Sequence, residues 1–129
     1  HGWSHEDVPD PQDPDTFERS KLPWDEIGEA RHARLLDCYR SLIALRRARP
    51  DITDPWLEHL GVDYDEDAHW IVLTRGSVRV ACNLGAGQVT VPIGGSPLLW
   101  WDAPSQDETA SATTIPPHSF VVLDSSVTA

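Results

Sequence analysis

The sequence of 129 residues has no methionine, two cysteines, two tyrosines and two phenylalanines, and it sets only 10 lysines and arginines against 21 aspartates and glutamates. Each shortage excludes something. A formal net charge of −11 repels polyphosphate, so nucleic acid is not an expected partner. No apolar run approaches the roughly 18 to 20 residues needed to span a bilayer, and the start of the chain lacks the basic-then-apolar layout of a signal peptide, so no membrane association is expected either. Cys38 and Cys82 belong to no C-x-x-C pair and no metal-type spacing. Placed on a predicted helix and a predicted strand, they are expected to be reduced core thiols of a non-secreted protein rather than a disulfide. A chain that begins at His1 and holds no methionine is expected to be a piece of a longer one.

Proline, aspartate and tryptophan are plentiful instead. Over residues 1 to 23, Pro9, Pro11, Pro14 and Pro23 alternate with Asp7, Asp10, Asp13 and Asp15, a composition that forbids a helix and predicts a long loop of turns and extended pieces. Trp3, Val8, Phe17 and Leu22 give that loop anchors which a disordered tail lacks. From about Asp25 the pattern turns helical. Leu35, Cys38, Tyr39, Leu42, Ile43 and Leu45 recur at spacings of three and four and form one apolar stripe. Asp25, Glu26 and Glu29 at the start, with Arg46, Arg47 and Arg49 at the end, complement the helix dipole, and Pro50 is expected to stop the helix.

Beyond Trp56 the period falls to two. His69 to Thr74 and Ser77 to Leu84 read as a hairpin around Arg75-Gly76, followed by strands at Gln88 to Ile93, Leu98 to Trp101 and Phe120 to Leu123, with glycine turns between. Val78, Val80, Cys82, Val89, Val91 and Ile93 are the predicted inward residues. Short strands at this spacing imply an antiparallel sandwich or Greek key, so the predicted class is α+β: loop and helix first, an all-β domain after.

Several constellations imitate reactive sites and fail on inspection. Asp63 to Asp67 carries acids at alternate positions like a calcium loop, but Ala68 stands where glycine is required and Thr74 where a bidentate glutamate closes the site; an acidic turn is expected. His1 and His5 have the spacing of two ligands on a helix, yet Gly2 and the following prolines oppose one. No metal and no cofactor is therefore expected. The serines lack a nucleophile-elbow context and no glycine pattern suits a phosphate cradle. Trp100 and Trp101 point to opposite faces of a strand, one into the core and the other toward solvent or a neighbouring domain, where it could serve as a flat platform for a sugar.

One stretch is specific. The run from Val8 to Trp24, VPDPQDPDTFERSKLPW, followed by LIALRRARP ending at Pro50, resembles the closing part of the catalytic barrel in the maltooligosyltrehalose trehalohydrolase family, α-glucan hydrolases of the α-amylase superfamily. The resemblance covers residues 1 to about 55 by motif and the remainder by pattern only, with Pro23 before Trp24 as a small departure. It implies that residues 1 to 52 are the last active-site loop and terminal helix of a (β/α)8 barrel and that residues 53 to 129 are a C-terminal β-sandwich domain. It also implies a cytoplasmic retaining hydrolase that cleaves the α-1,4 bond next to the terminal trehalose unit of its glucan substrate. Its catalytic carboxylates would lie upstream of this chain, so no catalytic residue is assigned here. Barrel active sites are built from loops at the C-terminal ends of the strands, which puts residues 1 to 23 on the substrate side. There Trp3 would stack on a glucosyl unit, while Asp10, Gln12, Arg19 and Lys21 would bond hydroxyls or brace neighbouring loops. A glucan branching or debranching enzyme, and an autonomous carbohydrate-binding or interaction module, are the alternatives.

Overall fold

The computed structural model describes residues 10–126, and the chain divides into two compact units at Leu36/Asp37. In the first, the proline-rich stretch is not all loop. Pro14–Ser20 forms a seven-residue helix, α1, whose start reads correctly in hindsight: Asp13 is the N-cap and accepts a hydrogen bond from the Asp15 N–H at 2.9 Å, with proline in the first turn. A proline there loses nothing, because the first N–H groups of a helix have no internal partner. Expecting the prolines to oppose any helix misjudged Pro14 for that reason. The main helix, expected from Asp25, begins later. Trp24–Gly28 is a 3₁₀ turn, and α2 runs over Ala30–Ala48.

In the second unit Pro50 stops α2 and opens another short helix, α3, over Pro50–Thr53, again with proline in the first turn. Eight strands follow among the described residues. They are β1 Leu60–Asp65, β2 Trp70–Arg75, β3 Val78–Asn83, β4 Val89–Val91, β5 Ser96–Trp100, β6 Ser105–Gln106, β7 Thr113–Ile115 and β8 Ser119–Asp124. All pairings are antiparallel. One sheet has the order β1-β2-β3-β8-β5 and the other β4-β7-β6. The five strands expected from alternation all appear, shifted by one or two residues. β1, β6 and β7 were not expected: β1 is acidic, with Asp63 and Asp65 within it, and the other two are two and three residues long. The acidic turn survives in shortened form, because Asp65 Oδ1 accepts from the N–H groups of Asp67 and Ala68.

The core lies between the two sheets. Val72, Ala81, Val121 and Leu123 from the larger sheet meet Val91 and Ile115 from the smaller, each at most 1 % exposed. Each large member contributes roughly 1.5 to 3 kcal/mol by leaving water. Alternation along β3 then corrects the expected inward set. Ala81, not Val78, Val80 and Cys82, faces the second sheet, and those three share the opposite face with Ile71 and Leu73 of β2, where Val78 is buried as expected while Val80 and Cys82 are only partly covered. Periodicity identifies which residues share a face but not which face meets the partner sheet. Val89 and Ile93 do pack against the core, as expected.

Buried polar groups stitch the second unit together. Asn83 is 1 % exposed, and its amide donates to the carbonyls of Gly87, Ile115 and Pro116 at 2.8, 3.1 and 2.9 Å while its Oδ1 accepts from the Gly85 N–H. Those bonds tie β3 to the loops beside β4 and β7. Cys38 and Cys82 are free thiols, and burial raises the pKa of Cys82.

Candidate functional site

The sequence-predicted binding residues occupy one short stretch of the first unit. Asp10 Oδ1 accepts from the Gln12 N–H at 2.9 Å and so shapes the turn before α1. Arg19 lies 3.9 Å from Asp15, and Lys21 Nζ donates to Glu18 at 2.7 Å while sitting 4.8 Å above the Phe17 ring. Both cations thus pair with carboxylates of their own helix, three or four residues away. All four candidates are exposed. Trp3 lies outside the described residues. Sequence reasoning passed over Trp24, which is 71 % exposed at the head of the 3₁₀ turn. With Phe17 and Leu22 also exposed, it adds an aromatic face to a stretch otherwise made of charges, and it ends the very motif that carried the family resemblance.

A second cluster, in the second unit, was not foreseen. Two carboxylates, Asp51 and Asp124, anchor the chain between α2 and β1 to the larger sheet, and a third, Asp54, shapes that chain from within. Asp51 Oδ2 accepts from the Ser77 N–H at 2.9 Å and the Ser77 hydroxyl at 2.8 Å. These bonds hold its pKa below the usual carboxylate range. Asp54 accepts from the Trp56 N–H at 3.0 Å and pairs with His59 Nδ1 at 2.5 Å, and its pKa is lowered for the same kind of reason. Asp124 accepts from the hydroxyl and N–H of Ser126 and from Arg49, which together hold it down to about 2. Arg75 completes the clamp by donating to the Asp54 carbonyl. Gly76 belongs to it too: at φ +54 a side chain would be strained, and a Cβ would lie 2.6 Å from the Asp51 carboxylate carbon. The only signal in the sequence was the Arg-Gly turn, read there as a hairpin turn and nothing more.

The chemistry of these carboxylates is that of anchors. A glycosidase acid must hold a proton near neutral pH, which requires a raised pKa. Asp51, Asp54, Asp107 and Asp124 all shift downward, Asp107 through the N–H of Ala112 and the hydroxyls of Thr109 and Ser111. Among the described residues no group of three or more His, Cys, Asp or Glu is placed to hold a metal ion. No described helix is long and apolar enough to cross a membrane. Trp100 is 44 % exposed at the end of β5, while Trp101 has left the strand and is partly covered, its N–H donating to the Phe120 carbonyl.

Residues 55–122 match the family described as domain of unknown function DUF3459. The chain belongs to that family. Its sequence is also similar to malto-oligosyltrehalose trehalohydrolases over nearly its whole length, so the resemblance drawn from Val8 to Trp24 holds far beyond that motif. The protein of that name from Mycobacterium tuberculosis (strain CDC 1551 / Oshkosh) is 49 % identical over 123 residues, 95 % of this chain and 21 % of the relative. The one from Rhizobium sp. (strain M-11) is 40 % identical over 122 residues, 95 % of this chain and 20 % of the relative. The one from Deinococcus radiodurans is 43 % identical over 89 residues, 69 % and 15 % respectively. The chain thus spans about a fifth of the length of the curated relatives it matches. Among solved structures, a MutB mutant in complex with glucose superposes with a TM-score of 0.56 at 17 % identity, covering 67 % of this chain and 17 % of that one. At that identity the likeness concerns the fold alone.

Proposed function

We propose that this chain is the C-terminal part of a malto-oligosyltrehalose trehalohydrolase, a cytoplasmic retaining α-glucan hydrolase that releases trehalose by cleaving the adjacent α-1,4 bond. The observation that carries this reading is the 49 % identity over 95 % of the chain to a protein of that name. Residues 1 to 52 contribute the last active-site loop and closing helix of the barrel, and residues 53 to 129 the accompanying Greek-key β-domain. The catalytic carboxylates lie upstream, in keeping with a set of perturbed carboxyls here that all shift the wrong way for a general acid. Asp10, Gln12, Arg19 and Lys21, with Trp3 and Trp24, form the substrate-side edge, where the planar guanidinium and amide bond sugar hydroxyls and the indoles stack on glucosyl faces.

The unfilled apolar surface of the chain fits a role as part of a larger body. Leu35, Tyr39 and Ile43, at successive helical turns of α2, are exposed, as are Val62, Tyr64 and Leu73 on adjoining strands of the larger sheet. Exposed apolar faces of this kind mark surfaces that bind a partner. An upstream barrel covers them in this reading.

The full-length protein that contains this chain tests it. Incubated with maltooligosyltrehalose, it is expected to release free trehalose, and the 129-residue chain alone is expected to release none. A branched glucan as product, or binding of maltooligosaccharide by the isolated chain at the affinity of the whole, overturns the assignment. Arg19→Ala and Lys21→Ala in the full protein should raise KM several-fold with Tm unchanged.

A further inference from the structure

Three of the ten cationic side chains are half-buried, Arg49, Arg75 and Arg79, and they are not alike. Arg49 pairs with the Asp124 carboxylate and Arg75 donates to the Asp54 carbonyl. Arg79 has no carboxylate partner among the described residues, and its one hydrogen bond is a long one, 3.3 Å from Nη1 to the Gly94 carbonyl. Its guanidinium lines a cavity of about 460 Å³ at the end of the sandwich, along with Gly94, Ser96, Thr109, Ser111 and Ser125. No carboxylate lines that cavity, in a chain whose net charge is −11.

We propose that this cavity is a binding site for a small oxyanion, a phosphate or carboxylate group, with Arg79 as its charged anchor. A partly desolvated cation without a counter-charge is costly to keep, and the planar guanidinium offers paired donors that match two oxygens of a phosphate or carboxylate. The hydroxyl of Ser96 stands at the same cavity to donate to a further oxygen, while that of Ser125 is already committed to the Ser77 carbonyl at 2.9 Å. A neutral sugar is disfavoured because no aromatic side chain lines the walls. The walls themselves are rigid. A Cβ on Gly94 would sit 1.9 Å from the Ala110 carbonyl oxygen, so the double glycine lets the two loops close on each other. The 107–112 loop is held from within by Asp107, whose carboxylate accepts from Thr109, Ser111 and Ala112. Gln106 Nε2 pins the Gly95 carbonyl at 2.8 Å from the other side. The site is independent of the glucan reading and lies in the family's own domain.

NMR titration of the full 129-residue chain with sodium phosphate, and in a second arm with succinate, tests this at constant ionic strength set with sodium chloride. Saturable shifts of the Gly94, Gly95 and Ser96 amide signals are expected in at least one arm, and the responding arm identifies the oxyanion. Arg79→Gln should weaken binding at least tenfold, and Arg79→Lys, which keeps the charge but loses the paired donors, by a smaller factor. The wild-type amide spectrum away from the cavity in both variants checks that they fold. Shifts that grow linearly without saturating in both arms, or an unchanged affinity in a folded Arg79→Gln chain, overturn the proposal. If Arg79→Gln fails to fold, an Arg79→Lys chain that binds as tightly as wild type overturns it equally.

Discussion

The β-sandwich and α2 obey opposite rules of burial. Between the sheets, six apolar residues are at most 1 % exposed, and the buried Asn83 has its amide donors and its carbonyl oxygen bonded. Along α2 no residue is fully buried, and Leu35, Tyr39 and Ile43 are 50 %, 60 % and 48 % exposed. Both regions were recognised by hydrophobic periodicity, so periodicity alone does not distinguish a satisfied face from one that awaits a partner. The sandwich buries its apolar face within the chain. The helix leaves its stripe exposed.

Mutation at the centre of the sandwich should break this contrast most strongly. Ile115→Ala empties space between the sheets and is expected to cost about 2 to 5 kcal/mol in urea unfolding of the isolated chain. If it costs under about 1 kcal/mol, the sheets do not share a cohesive core. Acid comes next. Asp51, Asp54 and Asp124 have folded pKa values below the ordinary 3.8, Asp124 at about 2. Their bonds therefore stabilise the fold fully above about pH 4, and that contribution is lost as the pH falls from there through 2. Thermal melts between pH 5 and 2 should show a falling Tm, with a shallower slope in Asp124→Asn, and an identical slope would remove Asp124 from the account. The smallest effect belongs to α2. Tyr39→Ser should change the isolated chain's stability by no more than about 0.5 kcal/mol, while lowering the Tm of the full-length protein distinctly. Equal effects in the two contexts would mean that the stripe is an ordinary exposed face.

The readings that succeeded rested on local rules. Strand pairs around Arg75-Gly76, the valine-rich β3 and β8, and the end of α2 before Pro50 all follow from alternation, turn residues and proline's missing N–H. The misses have physical causes. α1 was overlooked because proline opposes a helix everywhere except its first turn, where Asp13 and Pro14 place it. β1 was overlooked because an edge strand tolerates charge, and Asp63 and Asp65 lie on the sheet's outermost strand. In the candidate sites, the loop residues were legible through a motif, whereas the Asp51, Asp54 and Asp124 clamp joins residues up to 75 positions apart and no spacing rule connects them.

By itself the sequence determined the kind of protein and its family: acidic, poor in cysteine, similar over nearly its whole length to trehalohydrolases, and with a two-residue period through its second half. Tertiary structure alone decided which face of β3 meets the second sheet, which carboxylates are spent as anchors, and that of the half-buried arginines Arg49 pairs with a carboxylate whereas Arg79 has no carboxylate partner among the described residues. The reason is range. Propensity and periodicity act over a few residues, whereas burial and charge pairing depend on what the folded chain brings alongside.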